Sequence, residues 1–476
     1  MNDHSTQLTS LPSEPSALKR SLPRWVAMTG LSMSMFLIVL DATMVNLATV
    51  AIRDGLGLSA TTLTIVVNAY LVTLAGLLLL GGRLSDVLGG RRIFLVGMGI
   101  YLLASIFCAV ALDSSMLITG RIGQGVGAAL VVPSALALVL DLYNSPSERV
   151  RAMGIWGAVS GTGSLVGVFL GGMFTDMFGW PSVFWAPVPF CIVSAFIVLR
   201  AVQSGKGRAG SFDTPGAVTI TLGIGSLAFG IIYAAEAQWA APGAFAAIAA
   251  GFVSIAGFVA IERRASHPLV PLEIFHNQTV VAACLVVLLM GATLAGLFFF
   301  LPQYQQQILG MDALTTGMSQ IPLALMTIVG SGVAPVLARV MGLPSALAAG
   351  ITVLLAGFLI LAFNPATTGL SIPLMVAFIL IGGGLGVGLV NGIALAVRDA
   401  SEGQSGLLSG LVNTAQQIGG ALGIALIAGI AIGAGSGEID FTAAFAGQAF
   451  LILIALGLAL TAIVKSRREP NALDPF

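Results

Sequence analysis

Charged residues are scarce in this sequence. Only 8% of its 476 residues are Asp, Glu, Lys or Arg, whereas soluble domains carry about 25%. Hydrophobic residues make up 57% of the chain, and its mean hydropathy is +1.01. This composition excludes an ordinary soluble domain and indicates a polytopic membrane protein. The formal net charge is zero, and no feature of the sequence indicates nucleic-acid binding.

Sequence patterns typical of metal sites, paired cysteines and nucleotide-binding loops are also missing. The cysteines lie in apolar runs without a CxxC pair, and the histidines have no metal-ligand spacing. The residues concerned are Cys108, Cys191, Cys284, His4, His267 and His276. We therefore expect no disulfide, no metal and no other cofactor. A GxxxxGK[ST] loop is absent as well, so transport would have to use an ion gradient or a downhill substrate.

Long apolar runs recur along the whole chain. About 20 apolar residues suffice for a helix to cross a hydrocarbon core of roughly 30 Å. A membrane barrel would instead need short, alternating strands. The sequence therefore predicts an all-α polytopic fold with about fourteen transmembrane helices. Their approximate ranges are 25–50, 61–81, 93–112, 114–140, 150–173, 182–200, 215–235, 241–261, 279–302, 319–341, 343–363, 373–397, 406–433 and 443–464.

Basic residues mark alternate connections between these runs. Excess Lys and Arg is typical of cytoplasmic loops, and only Arg53 falls on the opposite side while only Arg121 lies inside a span. Both termini are therefore predicted to be cytoplasmic, in a multi-pass protein of the cytoplasmic (plasma) membrane. The first residues are polar and lack a signal-peptide pattern.

Two segments of the chain resemble later segments at nearly constant spacing. Residues 83–89 match 336–342 at an offset of 253, and residues 123–127 match 382–386 at an offset of 259. Such matches predict two six-helix halves in the same orientation. The predicted organisation is a cytoplasmic tail, an N-terminal half, an inserted helix pair with its linker, a C-terminal half and a second tail: 1–24, 25–204, 205–268, 269–464 and 465–476.

Asp41 is the most unusual residue of the first span. An acid at the centre of a membrane helix costs roughly 2.5–3.5 kcal/mol on insertion scales. Counted from the outer helix ends, Asp41 and Arg121 lie roughly 15 and 10 Å deep at 1.5 Å per residue, so both occupy the outer half. At the two offsets they correspond to Leu294 and Leu380. Ion chemistry is therefore predicted only in the first half.

Two glycine-containing motifs stand near these charges. The loop after the second span, which we predict to be a conformational-switch loop, holds Gly82, Asp86, Gly89, Arg91 and Arg92. Glycine permits a tight turn there, and the acid and the arginines can bond to neighbouring helices; an ordinary loop with cytoplasmic arginines is the alternative. The fifth span carries a second set of glycines: Gly154, Gly163, Gly167, Gly171 and Gly172. Their spacing predicts close approach of another helix, either as fixed packing or as a sliding contact.

These motifs resemble those of one transporter family. The loop at 82–92, the arginine-bearing segment 117–127 and the glycines of the fifth span resemble motifs of the major facilitator superfamily. Residues 40–46 and 178–189 resemble segments of its fourteen-helix drug:proton antiporter branch. The resemblance implies the major facilitator fold and a central cavity lined by the first and fourth helices. It also implies that Asp41 and Arg121 interact in proton coupling, although the same pair is compatible with a structural role.

The sequence departs from the family pattern at three positions. Val168 stands where the antiporter motif has proline, Gly90 where the signature loop usually has a basic residue, and Gln416 where relatives often have arginine. Aromatic, amide and methionine side chains can hold a lipophilic compound without demanding one geometry. The predicted substrate-cavity residues are Met44, Asn46, Phe298, Phe299, Tyr304, Asn391, Asn413, Gln416 and Gln417.

The combined prediction is a transporter and not an enzyme. We expect proton-coupled export of hydrophobic drugs or antibiotics by alternating access, with a lipophilic small molecule, protons and the lipid bilayer as partners, and a monomeric chain. Export of an endogenous metabolite, lipid or peptide by the same fold is the alternative. A remote alternative, an intramembrane enzyme, requires paired acids, HExxH or a serine–lysine dyad within the spans, and the sequence shows none of them.

Overall fold

The structure is a computed structural model of the chain. It describes residues 23–143, 145–203, 214–236, 241–265, 272–363, 369–398, 405–432 and 439–468. Most of the predicted tails at 1–24 and 465–476, and the polar start of the linker at 205–213, lie outside these ranges. The domain boundaries at 204/205 and 268/269 also fall outside them and stay predictions.

All regular secondary structure in the described ranges is helical. The chain forms, in order, α1 (Arg24–Leu47), α2 (Thr49–Leu56), α3 (Ala60–Leu88), α4 (Gly90–Ala109), α5 (Ser114–Leu142), α6 (Pro146–Phe178), α7 (Ser182–Trp185), α8 (Pro187–Ala201), α9 (Thr214–Glu236), α10 (Pro242–Glu262), a 3₁₀ helix (Leu272–His276), α11 (Gln278–Gln307), α12 (Ala313–Ser319), α13 (Ile321–Met341), α14 (Leu343–Phe363), α15 (Ile372–Val397), α16 (Ser405–Ile432) and α17 (Phe441–Arg468). Each of the fourteen predicted runs falls on one helix or on two consecutive helices.

Thirteen helical segments in the described ranges are long and apolar enough to cross a membrane. The remaining predicted span is α6, which has 33 residues and whose part from Thr162 to Phe178 is apolar. The prediction of an all-α polytopic membrane protein is confirmed.

The long helices assemble in two groups. Helices α1, α3, α4, α5, α6 and α8 pack together, and α11 and α13–α17 form a second group. The inserted helices α9 and α10 pack on each other, and α9 contacts α3 of the first group and α16 of the second. We call the end of the bundle where α1 begins the basic face, because Arg24, Arg91 and Arg92 lie there, and the other end the opposite face.

Matching glycines turn the chain at equivalent places in the two groups. Gly89 joins α3 to α4 with φ 95° and ψ 126°, and Gly342 joins α13 to α14 with φ 84° and ψ 148°. Positive φ is costly for residues with a β-carbon. Each glycine also donates its backbone N–H to a carbonyl in the last turn of the preceding helix, Ser85 or Ala338. The first predicted repeat therefore corresponds to the same turn in both groups.

Glycine contacts correct the alignment of the second repeat. Gly127 of α5 lies against Gly97 of α4, and Gly384 of α15 lies against Gly350 of α14 in the same way. The structural counterpart of Gly127 is therefore Gly384, two residues before Gly386, which the sequence match assigned. Glycine-rich helices match at several offsets, and only the helix contacts distinguish them. In the corrected alignment Arg121 corresponds to Phe378 instead of Leu380.

The same argument shifts the alignment of α1 with α11 by one residue. Two equivalent contacts define the corrected alignment. Gly167 of α6 lies against Leu40 of α1, and Gly423 of α16 lies against Ala292 of α11. Since Asp41 and Thr293 directly follow the two contacted residues, Thr293 is the counterpart of Asp41, and the assignment to Leu294 was wrong. The conclusion drawn from the repeat survives, because Asp41 still has no acidic counterpart.

Candidate functional site

Asp41 of α1 and Arg121 of α5 form a buried ion pair. Asp41 has 0% of its surface exposed and Arg121 has 1%. The Nη1 atom of Arg121 lies 3.3 Å from Oδ2 of Asp41. Two charges at this depth are retained only when they pair and hydrogen-bond. The structure thus brings together the two residues that the sequence singled out.

Gln124 completes the pair on the Asp41 side. Its Oε1 accepts a 2.8 Å hydrogen bond from Arg121 Nη1, and its Nε2 donates to Asp41 Oδ1 at 3.3 Å and to Ser105 Oγ at 3.0 Å. The sequence argument missed Gln124 as a site residue. Its position three residues after Arg121 was the available signal, because residues at this spacing share a helix face.

Two tyrosines surround the ion pair. The guanidinium carbon of Arg121 lies 4.4 Å from the ring centroid of Tyr70, which is a cation–π distance. The hydroxyl of Tyr101 interacts with the Asp41 carboxylate without the geometry of a full hydrogen bond, and Nε of Arg121 has no hydrogen-bond partner among the described residues. The cluster is therefore not saturated with protein hydrogen bonds.

The second group packs the same positions without charge. The glycine contacts align the helices of the two groups; for example, Gly125 lies against Tyr70, and Gly382 lies against Leu323. This alignment pairs each member of the cluster with a residue of the second group. The counterparts of Asp41, Tyr70, Tyr101, Ser105, Arg121 and Gln124 are Thr293, Leu323, Leu354, Phe358, Phe378 and Ile381, each at most 1% exposed. The second group therefore packs these positions with uncharged residues, so this helix arrangement does not itself require the ion pair.

A central cavity of about 430 Å³ lies between the two helix groups. Five of the predicted substrate residues line it: Asn46, Phe298, Asn413, Gln416 and Gln417. An adjoining cavity of 160 Å³ shares Asn46, Tyr70 and Phe298 with it and is also lined by Arg121. The ion pair therefore meets the cavity through Arg121, while Asp41 lies behind it.

The other predicted substrate residues do not line these two cavities. Met44 is buried where α1 meets Gly171 of α6, and Phe299 is buried in the core. Tyr304 packs on the rings of Phe441 and Phe445. Asn391 is also buried. These helices are apolar on all sides, and successive residues point about 100° apart, so residue type alone did not reveal which face meets the cavity.

The predicted switch loop at 82–92 connects three helices. Gly82 and Gly89 belong to the end of α3 and its turn, whereas Asp86 and Arg92 are exposed. Arg91 donates from Nη2 to the carbonyl of Leu199 in α8 at 2.6 Å. The loop therefore ties α4 to α8 at the basic face.

The glycines of α6 pack against α1, the helix that carries Asp41. A β-carbon added at Gly163 would lie 2.7 Å from the carbonyl oxygen of Phe36, and one at Gly167 would lie 2.9 Å from that of Leu40. Distances below 3.0 Å require the backbones to move apart. Gly154 lies outside the residues whose surroundings the structure describes.

The two groups touch at the opposite face. Gly172 lies against Ala313 of α12, and Gly317 of α12 lies against the carbonyl of Val168, the residue that replaces the motif proline. The backbone N–H of Leu314 donates to Oδ2 of Asp176 at 2.8 Å. Nearby, Gln306 Nε2 donates to the carbonyl of Leu47 at 3.0 Å. These contacts join the two helix groups at the opposite face.

Solved structures share this architecture. The POT family transporter PepTSo superposes with a TM-score of 0.70 at 16% identity, covering 93% of this chain and 98% of that one. The human organic anion transporter MFSD10 (TETRAN) gives a TM-score of 0.61 at 17% identity, covering 92% and 100%. At these identities the likeness concerns the fold alone.

Sequence comparisons identify the family. The chain is 35% identical over 425 residues to the puromycin resistance protein pur8 of Streptomyces alboniger, covering 86% of this chain and 82% of that protein. It is 34% identical over 392 residues to the cephamycin export protein CmcT of Amycolatopsis lactamdurans, covering 80% of each. Residues 31–424 match the family described as Major Facilitator Superfamily. The resemblance of the motifs is thereby confirmed, and the protein belongs to the Major Facilitator Superfamily of membrane transporters.

Proposed function

We propose that this protein exports lipophilic drugs or antibiotics in exchange for protons. The observation that carries the proposal is the buried pair of Asp41 and Arg121 beside the central cavity, at positions that the second helix group fills with the uncharged residues Thr293 and Phe378. Two relatives with high coverage are named for resistance to one antibiotic and export of another. An intramembrane acid is a functional candidate by default.

The proton step is assigned to the Asp41 carboxyl. While Asp41 is ionised, it attracts the Arg121 guanidinium and accepts a bond from Gln124. Protonation removes the charge attraction, because a neutral carboxyl no longer balances the guanidinium. Arg121 keeps its own charge at all accessible pH values, so it orients water and the carboxyl and does not itself carry the proton.

A movement of α1 would be transmitted through α6 to the contacts that join the two helix groups at the opposite face. Helix α1 carries Asp41 and packs on the glycine face of α6. Helix α6 in turn touches α12 of the second group through Gly172 and accepts the Leu314 N–H at Asp176. A rearrangement of the ion pair therefore acts along two packed helices toward these contacts between the two groups, which is the coupling that alternating access requires.

We assign the basic face to the cytoplasm. Arginines accumulate on cytoplasmic loops, and Arg24, Arg91 and Arg92 lie at this face. Both termini are then cytoplasmic in a plasma-membrane protein. With the opposite face closed, the cavity takes substrate from the cytoplasmic side. One chain supplies both helix groups and the cavity between them, which supports a working monomer.

A proton gradient supplies enough free energy for such export without a cofactor. One proton releases about 1.4 kcal/mol per pH unit and about 2.3 kcal/mol per 100 mV of membrane potential. Exporting a neutral compound against a tenfold concentration ratio requires about 1.4 kcal/mol. One pH unit and 100 mV together release about 3.7 kcal/mol per proton, so one proton per substrate sustains a concentration ratio of about 500-fold.

The test is transport into everted membrane vesicles from an efflux-deficient host. The substrate is chosen from antibiotics against which expression of the chain protects that host. We expect Asp41→Asn to insert and fold but to lose accumulation driven by a pH gradient. Thr293→Ala, at the equivalent position of the second group, is the matched control and should retain transport.

Retained pH-driven accumulation by Asp41→Asn would refute the proton assignment. Arg121→Lys separates charge from geometry, because lysine keeps the charge but loses the planar fork that contacts Asp41 and Gln124 together. We expect this variant to be slow. Protection against no antibiotic at all would favour export of an endogenous metabolite, lipid or peptide.

A further inference from the structure

Four carboxamide side chains face the central cavity without a hydrogen-bond partner among the residues that the structure describes. Asn46 of α1 lines it from the first group, and Asn413, Gln416 and Gln417 of α16 line it from the second. None of the four side chains hydrogen-bonds to another described residue. Some other amides in the described part of the chain are bonded, such as Gln305, which contacts Ser319 and Gln320, whereas Asn68 and Gln448 are buried away from both cavities' carboxamides and have no partner there. The four free amides therefore have their donors and acceptors available to a ligand.

The cavity walls carry little net charge. Among the residues that line the two adjoining cavities, the one formally charged side chain is Arg121. Its charge is balanced by Asp41 at 3.3 Å, and Asp41 is fully buried behind it. Among the described residues, no carboxylate therefore reaches a ligand directly. A cation in this cavity would lose its hydration without gaining an anionic partner, and it would meet the guanidinium.

One part of the cavity is rich in carboxamides, and the remainder is largely apolar. Asn46, Gln416 and Gln417 gather with Arg121 where the two cavities adjoin. The larger cavity continues along aliphatic residues of both groups: Met35, Ile38, Leu74, Leu78, Leu323 and Leu385. This division suits a ligand with an apolar body and one hydrogen-bonding end. Carboxamides both donate and accept, so their natural partners are amides, lactams and other neutral carbonyl groups.

We propose that the cavity selects uncharged lipophilic compounds bearing an amide, lactam or similar carbonyl group, and discriminates against lipophilic cations. The inference rests on the proposed function in so far as the cavity is the substrate site. The carboxamides come from both helix groups, so one ligand can bridge Asn46 on α1 and Gln416 or Gln417 on α16. The neutrality of the site depends on Asp41, because without that carboxylate Arg121 would present an unbalanced positive charge.

The experiment is equilibrium dialysis of the purified full chain in detergent at pH 7.5 with three probes of one scaffold. Dansylglycinamide is the neutral amide, N-dansylethylenediamine the cation, and dansylglycine the anion. Dialysis against protein-free micelles corrects for partitioning into detergent. We expect the amide to bind at least tenfold more tightly than the amine.

Variants assign the selectivity to the carboxamides. Each neutral hydrogen bond contributes a factor of about three to ten in affinity, so the double variant Gln416→Leu/Gln417→Leu should weaken amide binding about tenfold or more. Gln448→Leu is the matched control, because Gln448 is a buried amide on α17 without a partner that does not line either cavity. We expect its amide affinity to stay within about twofold of the parent, since it removes no ligand contact.

Asp41→Asn tests the charge balance. With the carboxylate removed, dansylglycine should gain about tenfold in affinity relative to the amide, as expected for an uncompensated guanidinium near a carboxylate. The selectivity proposal is overturned if the amine binds as tightly as the amide, if the double leucine variant binds the amide normally, if Asp41→Asn gives no gain for the anion, or if a folded protein binds no amide.

These outcomes are separable from failure of the proposed function. Dialysis involves no gradient, so selective amide binding without pH-driven transport would refute proton-coupled export and leave the selectivity intact. If the cation binds more tightly than the amide and is exported along a pH gradient, the selectivity proposal is refuted and proton-coupled export stands.

Discussion

Removing the guanidinium of Arg121 while Asp41 stays in place tests the buried ion pair most directly. The two charged groups lie 3.3 Å apart, with side chains 2% and 0% exposed. Two unit charges at about 4 Å attract by roughly 4 kcal/mol at an effective dielectric constant of 20. Loss of one partner from a buried pair typically costs about 3–5 kcal/mol. We therefore expect Arg121→Leu to destabilise the protein by about 3–5 kcal/mol.

Asp41→Asn should cost less, and the double variant should cost less than the sum. In Asp41→Asn the guanidinium keeps its 2.8 Å bond to Gln124 and its contact with the Tyr70 ring, so we expect a loss of about 1–3 kcal/mol. Asp41→Asn/Arg121→Leu leaves no buried charge, as in the second helix group, where Thr293 and Phe378 occupy these positions. Its destabilisation should fall short of the sum of the single variants by about 2 kcal/mol or more.

The measurement is unfolding by sodium dodecyl sulfate in mixed micelles at pH 7, followed by circular dichroism. The three variants and the parent form a double-mutant cycle, and each is also assayed for pH-driven transport. Additivity within about 0.5 kcal/mol would show that the two charges do not interact, which would refute the ion-pair argument. Recovery of stability without recovery of transport would show that the charges serve transport.

Three further predictions follow from particular contacts. Gly163→Ala should destabilise the protein by about 1–3 kcal/mol and slow transport, because its β-carbon would lie 2.7 Å from the Phe36 carbonyl oxygen. The control Gly99→Ala, with open space around it, should be neutral or slightly stabilising in the same unfolding assay. Equal losses of stability in the two variants would contradict the packing argument. Gly317→Leu should block the contact of α12 with Val168 and raise the labelling of Asn46→Cys by an impermeant maleimide from outside. The control Gly332→Leu, which lies in open space, should leave this labelling unchanged. Unchanged labelling in Gly317→Leu would contradict the assigned closure of the opposite face. The pKa of Asp113 is lowered because its carboxylate accepts bonds from the Met116 N–H and the Ser115 hydroxyl, so its stabilisation is present at neutral pH and is lost as the pH falls through the lowered folded pKa. Asp113→Ala should be less stable than the parent at pH 7, and the difference should shrink as the pH falls below 3.8. A difference that stays constant with pH would contradict this.

The family assignment also settles the broad functional class. Homology to transporters along most of the chain supports a secondary transporter and opposes the intramembrane enzyme that the sequence left as a remote alternative. The residues of the site stay predictions, and the variants above test them.

Part of the site could be predicted from the sequence because the bilayer places strong constraints on the residues that cross it. A bilayer demands long apolar helices, so the spans were evident from composition and run length. It also makes every intramembrane charge costly, so Asp41 and Arg121 stood out, and alternation of the spans placed them at similar depth. These conclusions need only one-dimensional information.

Which residues meet was decided by the tertiary structure. Uniformly apolar helices carry no clear signal of their buried face, so the contacts of Gln124 and Tyr70, and the cavity position of Asn46 but not Met44, depended on helix packing. Repeat alignment failed by one or two residues for the same reason. Glycines match glycines at many offsets, whereas in the folded protein each one admits one particular backbone. The sequence by itself thus determined that this chain crosses the membrane many times and buries an acid and an arginine, and packing of the helices decided what those charges touch.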